Sequence, residues 1–244
     1  IMLEVSNSFF KKQISKTGHK ADEDTVIGVA MVFLPKEDFN AQEKCRAIME
    51  YEVIKSGMNL FGWRQVPVNS SIIGEKANYT RPEIEQLIFS PKEKNSNIEK
   101  TLYLTRRRIE NKIKSLNINN FYICSLSSEV IVYKGMFLAE QLSSFYPDLL
   151  DSDFKSKFAI YHQRYSTNTF PTWSLAQPFR VLAHNGEINT LKGNVNWMKA
   201  HETRITDDFF GDRVEDLKPI LDSDSSDSAS LDAAFEILLQ TNRS

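Results

Sequence analysis

The sequence has little that would mark a metal site, a disulfide framework or a membrane protein. Its two cysteines, Cys45 and Cys124, lie far apart without a CxxC motif, and its four histidines lack ligand spacing. We therefore expect no metal site and no disulfides, and both cysteines to be core thiols. No apolar run approaches the roughly 18 residues of a membrane span, and no basic-then-apolar leader opens the chain. These absences predict a soluble intracellular protein without membrane contact.

An excess of charge of one sign is also missing. The 244 residues carry 30 lysines and arginines against 32 aspartates and glutamates, for a net charge of -2. Without a basic excess to neutralise a phosphate backbone, nucleic-acid binding is not expected. Because 41% of the residues are hydrophobic, the chain can bury the core of one large domain or two small ones.

Short apolar runs rich in β-branched or aromatic residues predict β-strands. The runs are residues 25–34, 121–126, 130–133, 158–165 and 179–184. Residues 60–68 look extended, 127–129 are the predicted turn of a hairpin, and the polar segment 90–100 is a predicted surface loop. Residues 1–3 look like a strand entered partway through, so we expect the chain to be a fragment.

Helical spacing of apolar residues predicts three main helices. The first follows Asn40, which forms a capping-box pattern with Glu43, and Gly57 can end it. The second covers 103–115, and its three consecutive arginines are expected to face solvent. The third covers 231–239 and is preceded by serines suited to capping it. Several strands with fewer helices indicate an α+β or a layered α/β domain.

A first polar cluster, HQRYSTNT at residues 162–169, follows a predicted strand. The guanidinium of Arg164 could bind a carboxylate through two parallel hydrogen bonds, with hydroxyls and backbone N–H groups completing the site. A salt-bridged arginine in a polar loop is the commoner meaning of such a pattern.

A second cluster, AHNGEIN at residues 183–189, follows the predicted strand 179–184. Asn185-Gly186 is most often a turn, because both residues tolerate positive φ. The side-chain amide of Asn185 beside the backbone N–H of Gly186 is also a pair of donors suited to a developing oxyanion. His184 alone is more often packed or hydrogen-bonded than catalytic.

A third cluster, DSDSSDS at residues 222–228, could be mistaken for a calcium loop. It does not match one, because Asp227 replaces the glycine of position six and Ala233 the glutamate of position twelve. The segment is either a flexible acidic linker that caps the last helix or a site where Asp227 receives a substrate ammonium group. The three clusters together would suit an α-amino acid with a side-chain amide, and glutamine fits.

Longer motifs carry a family resemblance. The strings FYPDLLD, HQRYSTNTFPTW, LAQPF and HNGEINTLKGN, together with GWRQVPVN and SDSASLD, closely resemble the amino-terminal class II glutamine amidotransferase domain of glutamate synthase large subunits. The resemblance covers most of the chain, and residues 1–244 would be one partial domain. It implies an α+β Ntn-hydrolase fold, a four-layer αββα sandwich with antiparallel sheets.

The resemblance also implies roles for individual residues. Arg164, helped by the Thr167-Asn168 loop, would hold the glutamine α-carboxylate, and Asp227 the α-ammonium group. Asn185 and Gly186 would form the oxyanion hole.

In the family the nucleophile is an amino-terminal cysteine whose α-amino group acts as base. Neither Cys45 nor Cys124 matches it. We therefore expect the domain to be truncated at its N-terminus, the nucleophile to lie upstream of Ile1, and these residues alone to be inactive.

The whole enzyme of this family would channel ammonia to a synthase domain of the same polypeptide. There 2-oxoglutarate is aminated and reduced at FMN, with an iron–sulfur cluster relaying electrons from a small NADPH-oxidising subunit or from ferredoxin. No cofactor is expected within these residues. The expected location is the cytoplasm, or the plastid stroma.

Two other interpretations stay open. The chain could be a binding or scaffold module that keeps a glutamine pocket without catalysis. It could also be another class II amidotransferase, such as one that makes amino sugars, although the long HNGEINTLKGN string argues against that.

Overall fold

The computed structural model describes residues 1–93, 97–163, 170–205, 210–221 and 225–241, with only the backbone of 211–213. The strands are β1 (Met2–Glu4), β2 (Gly28–Leu34), β3 (Met58–Gln65), β4 (Glu83–Pro91), β5 (Tyr122–Ser127), β6 (Val130–Val132) and β7 (Ala159–Ile160). The helices are α1 (Asn7–Lys16), α2 (Phe39–Lys55), α3 (Glu75–Tyr79), α4 (Ile98–Ser115), α5 (Leu142–Phe145), α6 (Leu191–Glu202) and α7 (Asp227–Gln240).

Two antiparallel sheets form the centre of the fold. One has four strands in the order β3-β4-β2-β5, and the other has three in the order β6-β1-β7. Short 3-10 helices lie at Ser70–Ile72, Ala139–Gln141, Pro147–Leu150 and Gly211–Leu217. The α+β class with two antiparallel sheets is therefore confirmed.

Strand β2 shows how the layers are packed. All seven of its residues are buried, and alternate side chains point to opposite faces. Val29, Met31 and Phe33 belong to a core shared with the three-stranded sheet and α1. Ala30, Val32 and Leu34 pack against apolar side chains of α2 and α4. Because both faces are covered, β2 appears in the sequence as a continuous apolar run rather than an alternating one.

The three predicted helices are present, and each begins earlier than predicted, at Phe39, Ile98 and Asp227. Asp38, not Asn40, caps α2, because its Oδ1 accepts a hydrogen bond of 2.9 Å from the backbone N–H of Ala41. Gly57 follows the end of this helix at φ +89°, a conformation that glycine adopts without strain. The serine cap of the last helix is confirmed, since Ser226 Oγ accepts from the N–H of Ala229.

Both cysteines are core thiols, as predicted. Cys45 and Cys124 are fully buried and unpaired, in the cores on opposite faces of the four-stranded sheet.

The predicted hairpin at 121–133 is wrong. Strand β5 pairs with β2 in one sheet, whereas β6 pairs with β1 in the other. The Oγ of Ser127 accepts hydrogen bonds from the N–H groups of Glu129 and Val130, at 2.9 and 3.0 Å. This turn moves the chain from one sheet to the other instead of returning it along β5.

The solvated arginine face predicted for α4 is also wrong. Arg106 and Arg107 are only 3% and 8% exposed. Arg106 pairs with Glu236 of α7 at 2.8 Å, and Arg107 donates to the backbone oxygens of Leu217 and Pro219. These arginines are buried because the last helix and the preceding 3-10 helix pack over them.

Two predicted strands are shortened or missing. Of 158–165, only Ala159–Ile160 is a strand among the described residues. Residues 179–184 form no strand. The N–H groups of Arg180, Val181 and His184 bond to side chains, and that of Phe179 bonds to the carbonyl of Leu182 within the segment.

Candidate active site

The loop at residues 177–189 carries Asn185 and Gly186 and leads into α6. It has no regular secondary structure, and both residues are exposed. A loop without ladder hydrogen bonds needs other partners for its backbone. The side chains of Gln177, Asp227 and Asp232 supply them.

Gln177 holds the loop just before the Asn-Gly pair. Its Oε1 accepts from the backbone N–H of His184 at 2.9 Å, and its Nε2 donates to the His184 carbonyl at 3.1 Å. Gln177 is 7% exposed, so both bonds are largely shielded from water. The backbone of His184 is therefore fixed as a neighbouring strand would fix it.

Helix α7 holds the loop at two further points. Asp232, 1% exposed, accepts from the N–H groups of Arg180 and Val181 at 3.2 and 2.9 Å. Asp227, the first residue of the helix, accepts from the N–H of Ile188 at 3.1 Å and from that of Ser228 at 2.7 Å. The second and third polar clusters of the sequence are thus brought into contact.

The first cluster also reaches the loop. His162 Nε2 lies 2.6 Å from Asn185 Oδ1. Within the part of the chain that the structure describes, neither Asn185 Nδ2 nor the Gly186 N–H has a hydrogen-bond partner. Both remain available as donors to a ligand.

The side chain of His184 leaves little room beside Gly186. A Cβ built at position 186 would lie 3.2 Å from Nδ1 of His184, which is tighter than most Cβ contacts. The imidazole of His184 therefore packs against the Gly186 backbone, and its Nε2 is buried without a hydrogen-bond partner among the described residues. Packing rather than catalysis was the expected role of this histidine.

The remaining residues predicted for the site, Arg164, Thr167 and Asn168, lie outside the described residues.

A cavity of about 370 Å³ lies beside this arrangement. His162 and Gln177 line it together with Ile1, Lys134 and other residues. Lys134 is 2% exposed and donates to the carbonyl of Ser174 at 2.7 Å. Burial lowers the pKa of Lys134 to about 8. The cavity wall therefore carries a buried amine that loses its proton far more readily than an exposed lysine.

An ionic network anchors the start of the loop to α4. Arg180 pairs with Glu110 at 2.9 Å and donates to the carbonyl of Ile123. Arg106 contacts the same carboxylate at 2.7 Å. Burial alone would raise the pKa of Glu110, but the charges of Arg106, Arg180 and Arg107 outweigh burial and lower that pKa to about 2. Glu110 therefore stays ionised across the physiological range.

These anchors were missed in the sequence. Gln177 sits in the apolar string LAQPF, and Asp232 lies within a helical apolar pattern. A polar residue inside an apolar run is the only local signal of a buried anchor, and it does not identify the partner.

An iron–sulfur cluster, one of the cofactors implied for the whole enzyme, does not fit these residues. An iron–sulfur cluster needs several cysteine thiolates close together, whereas the two cysteines here lie in separate cores. Among the described residues, no group of three or more His, Cys, Asp or Glu side chains could hold a metal ion. Nor is any described helix long and apolar enough to cross a membrane.

Known proteins resemble this chain over its whole length. The family model for class-II glutamine amidotransferases matches residues 1–244. The chain is 58% identical over 245 residues to the NADPH glutamate synthase large chain of Azospirillum brasilense, covering all of this chain and 16% of that protein. It is 43% identical over 247 residues to the chloroplastic ferredoxin-dependent glutamate synthase of Oryza sativa subsp. japonica, covering 100% of this chain and 15% of that protein.

The chain thus spans less than a fifth of the length of these relatives. The match to the family model over every residue confirms the resemblance found in the motifs, including the Ntn-hydrolase-like class of fold. This chain belongs to the class-II glutamine amidotransferases.

Proposed function

We propose that this chain is the glutaminase part of a glutamate synthase and releases ammonia from L-glutamine for the reductive amination of 2-oxoglutarate. The observation that carries the proposal is a pair of donors, Asn185 Nδ2 and the Gly186 N–H, that have no hydrogen-bond partner among the described residues and lie on a loop tied to Asp227. Such a pair suits the oxygen of a glutamine side-chain amide as it acquires negative charge.

Asp227 suits the substrate ammonium group. Its carboxylate lies in the first turn of α7, where the helix dipole favours a negative charge. It accepts hydrogen bonds from two backbone N–H groups and from the hydroxyl of Ser228. A carboxylate has about four lone-pair sites, so capacity remains for an ammonium group. Arg164, with Thr167 and Asn168, would receive the α-carboxylate at the other end of the substrate.

The nucleophile is proposed to be an amino-terminal cysteine in a longer form of the chain. Burial raises the pKa of Cys45 to about 11 and that of Cys124 to about 12, so neither supplies a thiolate near neutral pH. The incoming thiolate would attack the amide carbon, and ammonia would leave with the proton taken by the α-amino group. Water would then cleave the γ-glutamyl thioester to glutamate. Residues 1–244 alone are proposed to be inactive.

The partners and location follow from the relatives. A synthase domain with FMN and an iron–sulfur cluster would follow in the same polypeptide and consume the ammonia. The electron donor would be a small NADPH-oxidising subunit or ferredoxin, because one of the two relatives is an NADPH glutamate synthase and the other is ferredoxin-dependent. The cytoplasm is the proposed location, with the plastid stroma as the alternative suggested by the chloroplastic relative.

The test compares ammonia release from glutamine by the full chain that begins at its cysteine and by residues 1–244. Activity in the longer chain alone supports both the function and the upstream nucleophile. Asn185→Ala in that chain should lower turnover about 10² to 10³-fold, the usual effect of losing one oxyanion donor.

Asn119→Ala, at an exposed position between α4 and β5, is the matched control and should leave turnover unchanged. A folded, full-length chain that binds glutamine without releasing ammonia would instead support the binding-module interpretation.

A further inference from the structure

The side-chain amide of Asn185 can serve an oxyanion in only one of its two orientations. With Oδ1 turned away from the substrate, Nδ2 donates to the developing charge. Rotated by half a turn, the amide would present oxygen lone pairs to that charge and repel it. An exposed asparagine has no intrinsic preference between the two orientations, so something must select one.

His162 is placed to make that selection. Its Nε2 lies 2.6 Å from Asn185 Oδ1. An imidazole nitrogen that bears hydrogen donates to an amide oxygen and repels an amide nitrogen, whereas one without hydrogen would accept from the amide nitrogen. The selection therefore requires the hydrogen of His162 to be on Nε2.

The two partners are held by independent parts of the fold. His162 follows β7, which is paired with β1 through Ala159 and Ile160. Asn185 follows His184, whose backbone is held on both sides by the buried amide of Gln177. Because neither partner depends on the other for its position, the contact between them is built into the fold.

We propose that His162 is a positioning residue that holds the Asn185 amide with its nitrogen facing the reacting carbonyl. The inference rests on the proposed glutaminase function and deepens it. His162 itself does not touch the reacting atoms. It acts by making Asn185 a donor in every turnover rather than in a fraction of them.

The test replaces His162 in the full-length chain with three side chains of different hydrogen-bonding character. In His162→Gln, the amide nitrogen can take the place of Nε2 and donate, so kcat should stay within about threefold of wild type. In His162→Ala, orientation is no longer selected, so about half of the amides donate and kcat should fall about twofold. In His162→Glu, an acceptor faces Oδ1 and favours the inverted amide, so kcat should fall about 10²-fold, approaching the loss of the donor itself.

Two further measurements separate positioning from a structural role. The KM for glutamine should change less than about threefold in all three variants, because substrate recognition lies elsewhere. In an Asn185→Ala background, His162→Glu should lower kcat by less than about twofold, since no amide is left to orient. His19→Ala, an exposed histidine on the segment after α1, is the matched control and should behave as wild type.

The outcomes are distinguishable. A wild-type full-length chain without glutaminase activity overturns the proposed function and this inference with it. An active wild type that Asn185→Ala impairs, but in which His162→Glu costs the same factor with and without Asn185, overturns the inference alone. Equal losses in the glutamine, alanine and glutamate variants would also overturn it.

Discussion

The four-stranded sheet and the loop at 177–189 are ordered by different interactions. Strand β2 is fixed by apolar packing on both faces and by ladder hydrogen bonds to β4 and β5. The loop has no ladder hydrogen bonds, and Phe179 is its one fully buried large side chain. Its backbone is fixed by single side chains of Gln177, Asp232 and Asp227. Apolar packing distributes stability over many contacts, whereas the loop concentrates its order in a few polar ones. Substitutions in the two regions should therefore have different signatures.

The largest expected loss of stability is at the ionic network of Glu110, Arg106 and Arg180, which joins the sheet to the loop. Glu110→Gln removes the carboxylate shared by Arg106 and Arg180 and leaves both guanidinium groups with less compensation in a buried site. We expect a loss of about 3–5 kcal/mol in the free energy of unfolding, measured by urea denaturation. Glu215→Gln, at a carboxylate that pairs on the surface with Lys218, is the control and should cost less than about 1 kcal/mol. A cost for Glu110→Gln as small as the control's would show that the network is dispensable.

A substitution that opens a cavity in the four-stranded sheet should lower the free energy of unfolding without changing the candidate site. Leu87→Ala in β4 removes a fully buried side chain and should cost about 2–5 kcal/mol. The turnover of the molecules that remain folded should equal that of wild type, measured well below the unfolding temperature. Leu116→Ala, 52% exposed after α4, is the matched control. A specific loss of turnover in Leu87→Ala would contradict the separation of the two regions.

Lys134 lies between the sheet and the loop, and its effect on the free energy of unfolding depends on pH. Because burial lowers its folded pKa to about 8, the unfolded chain binds more protons than the folded chain between that pH and the usual lysine pKa of about 10.4. The stability of the wild type relative to Lys134→Met should therefore rise with pH across this window, by up to about 3 kcal/mol. Below pH 8 the penalty for burying the charge is present in full.

Urea denaturation of both proteins from pH 7 to pH 10.5 measures this difference. Lys157→Met removes a lysine with 86% of its side chain exposed and controls for the general loss of a positive charge. A difference between wild type and Lys134→Met that does not change with pH would show that Lys134 is not buried as a charge.

The smallest expected effect on stability, with the most specific effect on the site, is at Gln177. Gln177→Leu keeps the size of the side chain but leaves the N–H and carbonyl of His184 unpaired, at a cost of about 1–3 kcal/mol. In the full-length chain, kcat should fall about tenfold as the neighbouring donors lose their position. Gln141→Leu removes the bond to the Ile72 carbonyl and the bond from the Leu138 N–H, neither of which involves the loop, and should leave kcat unchanged. Equal kcat in Gln177→Leu and wild type would contradict the anchoring role.

The success of the sequence predictions followed the same division. Local periodicity located β2, α2, α4 and α7, because burial of an apolar face imposes a repeat that can be counted. It failed at 121–133, where two adjacent strands enter different sheets. It also failed at Arg106 and Arg107, because nothing within α4 indicates that α7 covers them. Asn185, Gly186 and Asp227 were expected to serve one substrate, but the bond from the Ile188 N–H to Asp227 that links them was not predicted.

By itself, the sequence determined the family, the apolar cores and the residue types of the candidate site, since each is written in local patterns or long motifs. Only the tertiary structure decided which polar residues hold that site together. The hydrogen bond from the N–H of Arg180 to Asp232 joins residues 52 positions apart in the sequence, and that from Arg106 to Glu236 joins residues 130 positions apart. Such contacts have no local repeat, because a single hydrogen bond between distant residues depends only on where the packed elements bring them.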